Sequence, residues 1–157
     1  MSVRLGHFIE CKGVLTTTQF DHRKGLGTYV ALLCVAHTLQ SALEMGQEAR
    51  IVQIDFNTAF DRVNRQGILF KLCSVGVGGS VLSVLTQFLS NRSQYVVVDG
   101  CRSKLINVVS GVPEGSVLGP LLFLLYTADL FSLVETSFTV MLTTPLWWLL
   151  CHPLVSG

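Results

Sequence analysis

VQIDFNTAFDRVNRQGILFKL, from Val52 to Leu72, is the stretch on which the reading of this chain turns. It opens inside the run Arg50 to Phe56 (RIVQIDF), whose Ile51, Val52 and Ile54 give the β-branched, apolar character of a short buried strand. Asp55 stands where that strand ends, and Asp61 follows farther along. Two readings of Asp55 stand side by side. A carboxylate leaving a rigid strand is placed to hold a divalent ion, and hard oxygen ligands suit Mg2+. Phosphoryl transfer needs such an ion to neutralise phosphate charge and to activate the attacking hydroxyl. The plainer reading is that Asp55 ends the strand and caps the next helix, as Asp often does. One carboxylate is a poor metal site, and Asp61 reads most simply as a solvated helix-surface residue, so spacing alone favours the plainer reading.

Working outward, Asn57 to Ser74 reads as a helix bent at Gly67. Upstream, Thr28 to Glu48 reads as a helix whose Ala31, Leu32, Val35, Ala36, Leu39 and Leu43 share one face. Thr28 is the expected cap at its start, with Gly46 loosening its end. Downstream, GVGG (Gly76 to Gly79) is a loop, and Ser80 caps a helix running to about Leu89. NRSQ (Asn91 to Gln94) reads as a turn, and Tyr95 to Gly100 with Lys104 to Gly111 as a hairpin. Pro113 and Gly115 punctuate a loop, and Val117 to Tyr126 reads as a buried helix despite Gly119 and Pro120. Helix, strand, helix, helix, hairpin, loop, helix is an α+β order with a small sheet.

The composition bounds the partners. The 157 residues suffice for one domain with a real core. Half are hydrophobic and 13% are charged, against roughly 25% charged in ordinary soluble domains. Such a chain buries most of itself or packs against further segments, and its mean hydropathy of +0.55 keeps a membrane reading in view. The net charge is +1, and the basic residues Arg62, Arg65, Arg92, Arg102 and Lys104 are scattered, which argues against an autonomous nucleic-acid binder. The five cysteines are odd in number and none stands in CxxC spacing, so reduced thiols in an intracellular protein are expected rather than zinc or a disulfide framework. The first residues, MSVRLGHFIECKG, do not form a secretory signal.

The longer string from Val52 to Leu72 resembles the first palm motif of reverse transcriptases from non-LTR (LINE-type) retrotransposons. QFDHRKGLGTYVALL (Gln19 to Leu33) is similar to the segment that precedes it there, and FLSNRSQYVVVDG (Phe88 to Gly100) to the next stretch. SGVPEGSVLGPLLFLLYTADL (Ser110 to Leu130) looks like the second palm motif, usually written GVPQGSxLGPxLF. The resemblance spans residues 2 to 138, and several motifs in order are far more specific than one. It implies a partial fingers/palm of a right-hand polymerase over residues 1–138, followed by a non-family tail over 139–157. It also implies roles residue by residue. Asp55 matches the family's first catalytic, metal-binding aspartate. Phe60 matches the aromatic residue beneath the sugar of the incoming nucleotide; without the family it would be read as core. Pro113, Glu114 and Gly115 match the loop beside nucleotide and template, with Glu114 where the family has Gln. An ionised carboxylate only accepts hydrogen bonds and adds negative charge beside a triphosphate. The parent activity implied is RNA-directed DNA synthesis, with an RNA template, a DNA primer, deoxynucleoside triphosphates and Mg2+ or Mn2+.

Two departures follow. The family's basic fingers segment lies upstream of the first matching residues, so missing polymerase segments are expected partners. Its third palm motif, an [FY]ADD box, is due shortly after Glu135, yet FTVMLTTPLWWLLCHPLVSG (Phe138 to Gly157) holds no Asp or Glu. A two-metal site needs several carboxylates converging on ions about 4 Å apart, so the chain is expected to be catalytically inactive. One choice of codons for Met141 to Pro153, given a preceding T and read one base out of frame, spells YADDSTLVAVVPS. A frameshift or a displaced exon boundary from about Val140 is therefore expected. Alternatives are a non-catalytic RNA-binding or interaction remnant, and a membrane-associated product through residues 136–157. The threonines and prolines of that tail, and its lack of a basic flank, disfavour a span.

Overall fold

In chain order the elements are α1 (Ser2–Cys11), α2 (Thr28–Glu44), β1 (Glu48–Asp55), α3 (Ala59–Arg62), α4 (Arg65–Ser74) and α5 (Gly79–Leu89). Four short strands follow, β2 (Arg92–Gln94), β3 (Val97–Val98), β4 (Cys101–Arg102) and β5 (Ile106–Val108), then α6 (Gly119–Thr127), β6 (Phe138–Met141) and β7 (Trp147–Leu154). The computed structural model describes residues 1–20, 22–23, 25–130, 138–141 and 147–154. The mixture of helices with small antiparallel sheets is the α+β class expected. The chain divides into two compact units, essentially residues 3–57 with 127–157, and residues 58–126.

In the first unit β1, β7 and β6 form one antiparallel sheet in that order. Its register runs from Glu48↔Leu154 to Asp55↔Trp147 on one side of β7, and from Phe138↔Leu150 to Met141↔Trp147 on the other. Helix α2 lies against all three strands. It ends at Glu44, earlier than the periodicity suggests. Gly46 takes a left-handed φ of +69°, its N–H returns to Leu43 O, and Gln47 N–H reaches Ala42 O. That closure stops the helix and frees Glu48 to begin the strand. The buried stripe of α2 is Ala31, Val35 and Ala42, whereas Leu32, Ala36 and Leu43 are exposed. A helix covered on one side by a narrow sheet buries only a narrow stripe. Thr28 is the first helical residue and makes no capping bond; Gly27 holds the cap position. Helix α1 was not foreseen. It buries Leu5 and Ile9, and the turn after it is tied by Arg23, whose guanidinium donates to both Glu10 carboxylate oxygens (2.7 and 2.8 Å) and to Thr16 O and Gln19 O.

In the second unit the expected single helix from Asn57 to Ser74 is two helices, and the break falls at Val63, not Gly67. Val63 is extended (φ −61°, ψ 129°), and the Asn64 Oδ1 accepts from Gly67 N–H at 3.1 Å, starting α4 afresh. Gly67 serves a different end: a Cβ there would sit 2.9 Å from the Tyr126 ring. Helix α5 starts at Gly79, with Gly78 at the cap position and no capping bond from Ser80. The expected turn at Asn91 to Gln94 is mostly strand. Arg92, Ser93 and Gln94 pair with Val108, Asn107 and Ile106, and the hairpin continues as β3 against β4. Helix α6 is the buried helix foreseen, with Leu122, Leu124 and Leu125 all but inaccessible. Its Pro120 sits in the first turn, where the missing N–H has no intrahelical partner to lose. Val63, Ile68, Leu72, Leu85, Leu89 and Val112 complete this core, each contributing about 1.5–3 kcal/mol by burial.

Candidate functional site

Two sequence-distant motifs meet in the second unit. Val63 O accepts from Gly111 N–H and Phe60 O from Val112 N–H, both at 2.9 Å, while Ser110 Oγ donates to Asp61 O at 2.8 Å. The α3 turn and the start of the 110–115 loop are thereby laced together. Only glycine fits at the crossing. Gly111 has φ +78°, and a Cβ on it would lie 2.7 Å from Asp61 Cα and Phe60 O and 2.8 Å from Asp61 O. Phe60 is half-buried, with its ring 5.0 Å from that of Phe123 at 44°. It is therefore part of the core and a neighbour of the loop at once. Pro113 is half-buried and its carbonyl accepts from Ser116 Oγ at 2.6 Å; that oxygen accepts in turn from Gly119 N–H at 3.0 Å. The base of the loop is pinned, and Glu114 and Gly115 stand exposed at its tip.

Arginines hold the same loop from outside. Arg65, the first residue of α4, donates from Nε to Gly111 O (3.2 Å) and from Nη2 to Ser110 O (2.7 Å). Arg92, the first residue of β2, donates from Nη1 to Gly111 O at 3.1 Å. Burial, and then the Arg92 charge, lower the proton affinity of Arg65, which as an arginine stays charged throughout. The sequence offered these two only as scattered basic residues. No spacing signals their meeting, which depends on the β2–β5 register.

Asp55 belongs to the first unit. It is the last residue of β1 and lies level with Trp147, the first residue of β7, which is level with Met141, the last of β6. Asp55 therefore ends its strand at the edge of the sheet where β6 gives way to β7. The helix that follows has Thr58, not Asp55, at its cap position. The connection 142–146, where the carboxylate box is due, lies outside the described residues; its sequence is Leu142, Thr143, Thr144, Pro145 and Leu146. As donors for a pair of divalent ions these residues do not fit: Asp55 supplies one carboxylate, and no acid follows Glu135. Among the described residues no helix is long and apolar enough to cross a membrane.

A family model described as reverse transcriptase (RNA-dependent DNA polymerase) matches residues 6–145. The chain belongs to the reverse transcriptase family. Among its relatives, the RNA-directed DNA polymerase from mobile element jockey of Drosophila funebris is 38% identical over 112 residues, covering 71% of this chain. The jockey polymerase of Drosophila melanogaster is 33% identical over 129 residues, covering 80% of this chain. The probable RNA-directed DNA polymerase from transposon X-element of the same fly is 32% identical over 130 residues, covering 83%. The chain spans only 12% to 14% of the length of these relatives. Family membership and relatives from mobile elements agree with the resemblance read from the motifs around Asp55 and Gly111. Within this reverse transcriptase segment, Phe60, Pro113, Glu114 and Gly115 share one unit and Asp55 lies in the other.

Proposed function

We propose that this chain is a fingers/palm segment of a mobile-element reverse transcriptase and that it does not polymerise by itself. The parent reaction is attack of a primer 3′-hydroxyl on a deoxynucleoside triphosphate opposite an RNA template. In this reading Asp55 is one ligand for Mg2+ or Mn2+. Phe60 lies beneath the sugar, where a rigid ring rejects a 2′-hydroxyl by clash. Pro113, Glu114 and Gly115 flank nucleotide and template. The supporting observation is the register Asp55↔Trp147↔Met141. It brings the end of the Asp55 strand level with a hairpin whose connection reads LTTPL. β6 and β7 pair beside β1, and the carboxylates expected between them are absent from the sequence of residues 142–146. Displacement of the reading frame from about Val140, over the 139–157 tail, accounts for that combination.

A primer-extension assay on an RNA template, with Mg2+ or Mn2+, tests the inactivity. The expected result is no templated product above that of Asp55→Ala. Templated extension that Asp55→Ala abolishes would overturn it. The nucleotide sequence tests the frame: a reading one base out of frame should encode an ADD box after Phe138, and a stretch with none in any frame refutes the displacement.

A further inference from the structure

We infer that Arg65 and Arg92 form a phosphate-binding clamp on the outer side of the 110–111 backbone. The inference does not rest on turnover and stands even if the chain never polymerises. Two guanidinium groups, one from the start of α4 and one from β2, approach a single oxygen, Gly111 O, at 3.2 and 3.1 Å. A shared carbonyl orients both groups but neutralises neither. Among the described residues neither Arg65 nor Arg92 meets a carboxylate, whereas Arg23 pairs with Glu10. Asp61 and Glu114, the acids nearest in sequence to the laced segments, are exposed and pair with neither. Two like charges are thus held side by side without a counter-charge, and at Arg65 burial, then the Arg92 charge, weaken the hold on its proton.

The donor count favours phosphate. Each guanidinium carries five N–H donors. Arg65 uses two of them on carbonyls and Arg92 one. The remainder, in two planar forks from different elements, offer more bonds than the two oxygens of a carboxylate can accept. A tetrahedral oxyanion supplies enough acceptors and the charge, and Arg forks match phosphate geometry. The start of α4, where Arg65 sits, adds a favourable partial charge for an anion. The phosphate could be a phosphodiester of a nucleic-acid strand or a phosphate of a free nucleotide; the chemistry is shared.

The test uses the full chain and a labelled oligo-uridylate RNA, with binding followed by anisotropy across a KCl series. Arg92→Gln should flatten the slope of log K against log[KCl] by about 0.7, the single-strand value for one phosphate contact, and weaken binding about five-fold at 0.1 M salt. Arg92→Lys keeps the charge and should keep the slope. TTP that displaces the RNA assigns the site to nucleotide phosphate; failure to displace assigns it to the strand. Equal slopes for wild type and a folded Arg92→Gln overturn the clamp. So does equal loss in Arg92→Gln and Arg92→Lys, which would make Arg92 a structural staple. Should Arg92→Gln not fold, the wild-type chain still decides: inorganic phosphate at constant ionic strength should raise its melting temperature more than chloride does, and no difference overturns the clamp.

Discussion

Gly111→Ala should be the most damaging small substitution in the second unit. The methyl group would arrive 2.7 Å from Asp61 Cα and Phe60 O and 2.8 Å from Asp61 O. All three are backbone atoms and cannot rotate aside. A left-handed φ costs a non-glycine residue about 1–2 kcal/mol. Relief of the clash must spread the lacing of Gly111 N–H to Val63 O and Val112 N–H to Phe60 O. Loosening two buried hydrogen bonds adds about 2 kcal/mol. The sum is about 3–4 kcal/mol, which at a urea m-value of about 2 kcal/mol/M lowers the unfolding midpoint by about 1.5–2 M. Gly115→Ala is the control, because Gly115 also has a positive φ (+69°) but nothing lies within 4 Å of its Cβ position. It should lose only the conformational part, about 1 kcal/mol. Urea titrations followed by far-UV circular dichroism compare the two. Equal midpoints for the two variants would refute the close approach of the loop to the α3 turn.

Three further outcomes are expected. Leu122→Ala opens a void at a fully buried position in α6 and should cost about 2–5 kcal/mol in the same titration. Asn64→Ala removes the cap on α4 and should cost about 1 kcal/mol, while Thr28→Ala, at a residue without a capping bond, should change little; thermal melts distinguish them. Arg23→Gln breaks the fork to Glu10 and the bonds to Thr16 O and Gln19 O. It should destabilise the turn after α1 by about 1–2 kcal/mol, with the ionic share shrinking as salt is raised.

Local pattern made β1, α5 and α6 legible, because each carries its apolar residues at the spacing or density its period demands. Helix α1 was missed because its buried residues are only Leu5 and Ile9 amid polar neighbours. The break at Val63 was misplaced at Gly67 because glycine is the usual punctuation, whereas here Asn64 restarts the helix and Gly67 admits the Tyr126 ring. Strand β7 could not be read from a run containing Trp147, His152 and Pro153; it pairs with β6 on one side and, on the other, with β1, far away in sequence. For the proposed site, Asp55, Phe60 and the Pro113–Gly115 loop are singled out by the family motifs alone, and spacing by itself favours a cap at Asp55. The bonds from Arg65 and Arg92 to Gly111 were not legible, since they exist only once β2 pairs with β5 and the loop returns to the α3 turn.

Asp55 is proposed to occupy a working metal-ligand position in a palm whose other carboxylates are missing from this chain. A chimera tests it most directly: residues 6–138 placed in the matching stretch of a related mobile-element polymerase, which then supplies its own ADD box. Templated DNA synthesis dependent on Mg2+ or Mn2+, and abolished by Asp55→Ala, is the expected result. A folded chimera that is inactive, or one whose synthesis survives Asp55→Ala, would contradict it.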